Sequence, residues 1–419
     1  MKTILLIGTL DTKGREYLFV RDAIVARGNR VFMLDAGVLG EPAAGFVPDS
    51  PAWRTAEAGG GSLAELRERR DRGHALEIMG LGARALALEL LKSQPFDAVF
   101  AMGGSGGTSI GATAMQALPV GLPKLIVSTM TSGDVGPYVG VKDITMMYSV
   151  VDVAGLNRVS RRVFTNAAGA ICGMAEQPVV VEEEKPLVAA TMFGVTTPCV
   201  DRIRSRLEGA GYEMLVFHAV GSGGRSMEAL VNDGFITALA DVTTTEWCDE
   251  LVGGVLSAGP HRLEAAARAG IPQVVSVGAL DMVNFGPMDT VPEQFRTRNL
   301  YVHNPQVTLM RTTPEECARL GEIIAGKLNA TTGPTAFFIP LRGVSMIDAE
   351  GQPFHDPVAD QALFDALRRN LDRSKVDLVE LDNNINDPAF ADAVADRLLA
   401  MIAATRPAPA EPVLVGAGR

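Results

Sequence analysis

The sequence predicts an α/β protein made of two Rossmann-like, doubly wound domains with mainly parallel sheets. Three observations predict it. Apolar runs of strand length alternate with segments of helix length along nearly the whole chain. Polar, glycine-bearing turns follow the ends of those runs, where doubly wound folds place their ligand loops. The strand–turn–helix pattern that starts at Thr3 starts again at Leu187, after the acidic, proline-flanked stretch EQPVVVEEEKP over 176–186. Domains are therefore expected over 1–180 and 186–406, followed by a disordered tail rich in Pro, Ala and Gly over 407–419.

Composition narrows the function classes. A length of 419 residues suits two or three domains. The net charge of −11, from 49 acidic and 38 basic residues, argues against a nucleic-acid surface, which needs a basic stripe. No apolar run reaches the ~18 residues of a membrane span. The opening MKTILLIG leads straight to Asp11 and Lys13 and reads as a first strand, not as a secretion signal. Cys172, Cys199, Cys248 and Cys317 are widely spaced and read as reduced thiols of a cytoplasmic protein.

Thr3–Ile7 is the first strand, and Gly8–Gly14 a polar loop carrying Thr9, Asp11, Thr12 and Lys13. A helix over Glu16–Arg27 closes at Gly28, and a second strand, Arg30–Leu34, ends at Asp35. This βαβ unit predicts parallel strands with a right-handed crossover. Asp35 stands where such folds hold a ribose, or where a carboxylate caps its own turn. Residues 41–61 have no period and read as a loop. Ser62–Arg72 reads as a charged helix, and Gly73–Ser93 as a second one with Leu76, Met79, Ala83, Leu86 and Leu90 on one face. His74, at its start, suits a cap or surface position.

The stretch FDAVFAMGGSGGTSIGATAMQAL over 96–118 carries the strongest chemical signal. A buried strand, Asp97–Met102, runs into Gly103, Gly104, Ser105, Gly106, Gly107 and Thr108, and helical spacing resumes at Ser109. Bare backbone N–H groups at the positive end of a helix hold a phosphate or carboxylate. The loop is neither a Walker A motif nor G-x-G-x-x-G, and it offers no local histidine base for serine-hydrolase chemistry. The next strand, Lys124–Ser128, ends in a loop carrying Thr131, Ser132, Gly133 and Asp134. In a parallel sheet the loops after residues 8, 35, 103 and 129 converge on one crevice. There Lys13 supplies a point charge, Ser105 or Thr108 a hydroxyl, and Asp134 or Asp11 an oxygen for magnesium.

The second half repeats the plan with strands at Leu187–Met192, Tyr212–Phe217, Phe235–Leu239, Gln273–Val277, Thr335–Ile339 and Val376–Leu381. The turn Gly221–Gly224 echoes the glycine loop, and a helix is expected over His261–Ala269. Thr313-Pro314-Glu315-Glu316 is a capping box. The run 278–312 lacks periodicity and reads as a long polar loop, either a wall of a site or a contact surface. His218, His261 and His303 are candidate acid–base groups, with a structural role as the alternative for each.

GTLDTKG near the N-terminus, MGGSGGT after the third strand and the closing INDPAF together resemble the ATP-binding family of the tomato mosaic virus resistance protein, over roughly residues 1 to 405. The resemblance implies ATP on the N-terminal domain, a related second α/β domain and a homodimer; the converging strand-end loops add magnesium with the nucleotide and a substrate or effector site presented by the second domain to the same cleft. Some relatives carry an added TIM-barrel domain, so a separate partner protein is expected to supply that activity. Two other functions stay open: an ATP-dependent enzyme acting on a small phosphorylated or carboxylated metabolite, and an interaction scaffold.

Overall fold

In the computed structural model, which describes residues 1–42, 46–178 and 185–405, every strand of the two large sheets runs parallel to its neighbours. The chain divides into two compact units, Met1–Val181 and Glu182–Arg419. The tail over 407–419 and most of the acidic run near 180 lie outside the described residues.

The first unit is built from β1 (Thr3–Gly8), α1 (Leu10–Ala26), β2 (Arg30–Asp35), α2 (Ala52–Ala58), α3 (Leu63–Arg69), α4 (Arg72–Ser93), β3 (Ala98–Gly103), α5 (Ser105–Gln116), β4 (Lys124–Ser128), α6 (Gly136–Val139), β5 (Ile144–Tyr148) and α7 (Arg158–Glu176). Its strand order is β2-β1-β3-β4-β5, so the order reverses between β1 and β3. Alternate strand residues feed two cores. Leu5, Ile7, Val99, Ala101 and Ile126 pack under α2, α4 and α5, while Ile4, Leu6, Phe100, Met102 and Val127 pack under α1 and α7. Both faces of the sheet are covered, which is why these strands read as continuous apolar runs.

Four elements differ from the sequence-based expectation. Helix α2 lies inside the stretch read as a loop. Only Ala52, Thr55 and Ala56 face inward, small residues that leave no apolar stripe to detect. The first loop shrinks to Thr9, because α1 starts at Leu10 and places Asp11, Thr12, Lys13 and Gly14 in its first turn. In the same way α5 starts at Ser105, two residues after β3, so the glycines belong to its first turn. Edge strand β5, half exposed with the pattern Ile144 buried and Tyr148 exposed, had no strong apolar run to announce it.

The second unit comprises β6 (Leu187–Met192), α8 (Thr197–Gly209), β7 (Glu213–His218), α9 (Ser222–Asn232), β8 (Ile236–Thr243), α10 (Glu246–Val252), α11 (Ala265–Ala269), β9 (Gln273–Gly278), β10 (Met282–Phe285), β11 (Leu300–Asn304), β12 (Val307–Arg311), α12 (Pro314–Leu328), β13 (Thr335–Pro340), α13 (Pro357–Asn370), β14 (Val376–Leu381) and α14 (Pro388–Thr405). Its large sheet has the order β7-β6-β8-β9-β13-β14, the same plan as the first, reversing between β6 and β8. In both units the first helix packs with the last on one face: α1 with α7, and α8 with α14.

The stretch 278–312 is corrected. It is not a long loop but a three-stranded antiparallel sheet, β10-β12-β11. Its strands are short, and one of their buried ends is Arg311, a charge where a sequence reader expects a surface. Arg311 pairs with Asp360 at 2.6 Å and Asp348 at 3.2 Å, and donates to the Phe354 carbonyl at 2.7 Å. The helix expected over His261–Ala269 starts only at Ala265, because Leu263 sits at φ 71° and the Arg262 side chain turns into the interior.

Candidate functional site

Loops and helix starts meet where the strand order reverses. A doubly wound sheet opens a crevice there, because the crossovers on either side leave for opposite faces. In the first unit this point lies between β1 and β3, and a cavity of about 810 Å³ occupies it. That volume falls in the range of small-molecule sites, roughly 300–1,000 Å³.

The sequence-level candidates divide cleanly. Thr9, Asp11, Thr12 and Lys13 from the start of α1, and Gly103, Gly104, Ser105, Gly106 and Gly107 from the start of α5, all line the cavity. Neither Thr9 nor Gly104, the residue before each helix, caps it with a side chain, while the Leu10 N–H of α1 is taken by Asp35. Both helix starts line the same space, and each helix brings about half a positive charge there. Thr108 does not line it. Its hydroxyl donates to the Gly104 carbonyl at 2.8 Å and lies 2.6 Å from the Ser128 hydroxyl, so it fastens the turn from beneath.

Of the two readings of Asp35, the structure shows the cap of its own turn and corrects the ribose contact. It is 1% exposed, and its Oδ1 accepts from the Leu10 N–H at 3.1 Å and the Gly37 N–H at 2.8 Å. Burial pushes its carboxyl up to about 6, against those two hydrogen bonds. Thr131, Ser132, Gly133 and Asp134 are also outside the lining. Asp134 is not placed to meet a metal beside the glycine turn: it is exposed, and its Oδ1 accepts from the Gly136 N–H at 2.8 Å, a local turn contact. Among the described residues no group of three His, Cys, Asp or Glu side chains could hold a metal ion.

Sequence reasoning missed five contributors. Arg67, Arg70 and Arg72 line the cavity from α3 and the start of α4. Arg72 stands at the glycine turn, with Nη2 3.5 Å from the Ser105 hydroxyl. The basic run RERRDR was legible, but nothing local to it says that it folds back over strand ends 30 residues away. Asp152 also lines the cavity, from the segment after β5. The fifth is Tyr17. Buried beneath the two junctions, its hydroxyl donates to the Ile7 carbonyl at 2.6 Å and accepts from the Met102 N–H at 2.7 Å. These are the backbone groups that lose their partners as β1 and β3 splay apart. Gly8 is required by the ring, since a Cβ there would lie 2.2 Å from it.

In the second unit the corresponding strand ends are filled by the protein itself. Arg262, 2% exposed, donates from Nη2 to Asp241 Oδ1 at 2.6 Å and from Nε to Glu246 Oε2 at 2.7 Å. Thr191 donates to the same Asp241 oxygen at 2.7 Å, bridging β6 and β8. Glu246 Oε1 accepts from the N–H groups of Gly221 at 2.7 Å and Gly224 at 3.1 Å. The second glycine turn is thus an anion cradle whose anion is an internal carboxylate. A Cβ on Gly224 would fall 2.1 Å from it.

The three histidines are not brought together. His218 is exposed and stacks on Phe193 with ring centroids 5.3 Å apart. His261 is 85% exposed beside Glu264, and His303 is exposed on β11. The four cysteines are free and buried. Among the described residues no helix is long and apolar enough to cross a membrane.

Residues 2–179 match the N-terminal domain, and residues 185–402 the C-terminal domain, of an uncharacterised protein family, UPF0261. A UPF0261 protein of Clostridium tetani is 52% identical over 402 residues, covering 96% of this chain and 99% of that one. The protein RA0729 of Rhizobium meliloti is 50% identical, over 94% of this chain and 97% of that one. The ToMV susceptible protein tm-1(GCR26) of tomato, Solanum lycopersicum, is 39% identical over 94% of this chain, which spans 55% of the tomato protein. Among solved structures, a glycosyltransferase of Streptomyces sp. SF2575 aligns with 96% of each chain at 14% identity and a TM-score of 0.19, too slight a likeness to argue from. With both halves matched and full-length relatives at half identity, the chain belongs to the uncharacterised protein family UPF0261.

Proposed function

We propose that the first unit binds ATP, entering as its magnesium complex, in the cavity between β1 and β3. The observation that carries this reading is the uncapped N-terminus of α5 and the start of α1 lining one cavity, with Lys13, Arg70 and Arg72 around it. Backbone N–H groups and fixed cations suit a polyphosphate. Leu66, Leu76, Met79 and Ile110 give the same cavity an apolar wall suited to a base. ATP is chosen among nucleotides by the motif resemblance in GTLDTKG and MGGSGGT. Magnesium keeps water and phosphate oxygens in its shell and needs few protein ligands.

The role assigned is holding the nucleotide. The reading of 278–312 as a wall of a metabolite site loses its motive with the loop itself.

Titration calorimetry with Mg-ATP tests the proposal, using Gly104→Val as control. A Cβ at residue 104 meets nothing closer than 3.8 Å, and its φ of −80° suits any residue, so the variant folds while its side chain fills the anion cradle. Wild type should bind, and the variant should bind at least about tenfold more weakly with an unchanged melting temperature. No heat at millimolar nucleotide, or equal affinity for both proteins, overturns the reading.

A further inference from the structure

The segment between β5 and α7 crosses the strand ends in an unusual conformation. Val150 has φ 65° and is exposed, and the Val151 N–H donates to the Ser149 carbonyl at 2.7 Å. This is a γ-turn of the strained, positive-φ kind, at a β-branched residue for which that region is an outlier. Beyond it the segment is pinned twice. Val153 is fully buried in the core under α1 and α7, and the Gly155 N–H donates to Glu16 on α1. Between the strained turn and the pins stands Asp152, facing the cavity.

Three carboxylates line that cavity, and two are already committed. Asp11 Oδ2 accepts from the Leu39 N–H at 2.7 Å, and its Oδ1 is enclosed against Gly37. Asp71 Oδ1 accepts from the His74 N–H at 3.1 Å as the cap of α4. Asp152 is exposed, and among the described residues no hydrogen bond or ion pair engages its side chain. A carboxylate in a cavity otherwise furnished for an anion repels a phosphate and attracts a donor. The position that commonly supplies a sugar's acceptor, the end of β2, is unavailable here because Asp35 is buried and bonded internally.

We propose that Asp152 is the specificity residue that reads vicinal hydroxyls, so the site takes a ribonucleotide and selects against ligands without the diol. This rests on the nucleotide reading above and adds which part of the ligand the β5–α7 segment recognises. A carboxylate accepting two hydroxyl hydrogens makes charge-assisted bonds, and the pinned turn holds it in place before the ligand arrives.

The test compares ATP, 2′,3′-dideoxy-ATP and inorganic tripolyphosphate by calorimetry, with and without magnesium, on wild type, Asp152→Ala and Asp152→Asn. Wild type should prefer ATP over the dideoxy ligand by about tenfold or more. Asp152→Ala should lose that preference, binding both at the dideoxy affinity, while tripolyphosphate binding stays unchanged. Discrimination that survives in both variants overturns the proposal. So does a loss seen only when magnesium is present, which would make Asp152 a cation contact. Wild type that binds ATP and the dideoxy ligand equally overturns it while leaving the nucleotide reading intact. Wild type that binds none of the three overturns both.

Discussion

The two sheets share a strand order and a reversal point, yet one reversal point is open and the other is filled. Between β1 and β3 two helices start, α5 without a side-chain cap, and cations stand around a cavity. Between β6 and β8 the space holds Asp241, Arg262 and Thr191, with Glu246 on the glycine N–H groups beside it. The same topology therefore yields a site in one unit and a structural ion cluster in the other. The difference lies in whether the chain provides its own anion. Glu246 does so for α9, and among the described residues no side chain caps α5.

The largest effect expected from breaking this comparison is at Arg262. Arg262→Ala strands Asp241 and Glu246 in the interior without their cation, which costs about 3–5 kcal/mol. Urea denaturation should show the second unit unfolding early; a loss below 1 kcal/mol would mean that water already reaches the cluster. Next comes Glu246→Ala, which should convert the filled site into an open one. Stability should fall by about 3 kcal/mol, and inorganic phosphate should raise the variant's melting temperature more than it raises the wild type's. Equal responses would show that the glycine turn is no anion cradle once its carboxylate is gone.

On the open side, Tyr17→Phe leaves the Ile7 carbonyl and the Met102 N–H without partners where β1 and β3 part. A loss of about 1–3 kcal/mol follows from one such buried deficit, together with weaker nucleotide binding because both helix starts hang on those strand ends. A neutral Tyr17→Phe would place the anchoring elsewhere.

The smallest effect expected is in the pH dependence. Burial raises Asp249 to about 7, against hydrogen bonds from Asn284 and Leu256, and raises Asp35 to about 6. Both folded values lie above the ~4 of an unfolded carboxyl. Each group therefore contributes stability that is fully present below about pH 4 and is lost as pH rises through its folded value. Asp249 should weaken the second unit up to about pH 7, and Asp35 the first only to about pH 6. Burial and neighbouring acidic charge raise Asp281 and Asp348 as well, in the same direction. Asp249→Asn should flatten the profile between pH 5 and 8; an unchanged slope would assign it to the Arg311 cluster instead.

Much of the strand framework was legible, because strands buried on both faces are nearly pure apolar runs, and nine expected strands match within a residue or two. The site was half legible. Gly103–Gly107 and Thr9–Lys13 announce themselves, since a glycine-rich turn and a strand-end polar turn are local features. Arg72 and Asp152 do not, because each reaches the cavity through a turn of the main chain rather than through a motif. The antiparallel sheet over 282–311 escaped notice for a related reason: its strands are held by partners in the same short stretch and end on a buried arginine.

By itself, the sequence determined that this chain forms two parallel α/β units and that a glycine turn with bare backbone N–H groups leads from the third strand into a helix. Those properties follow from apolar periodicity and from glycine, which act over a few residues. Only the tertiary structure decided which glycine turn stays open. Capping an N-terminus depends on one carboxylate arriving from another element, as Glu246 arrives from 22 residues beyond Gly224. It decided equally that Asp35 is structural and Asp152 faces the cavity, since burial depends on what packs against a side chain, and the residue's own neighbours in sequence do not specify that.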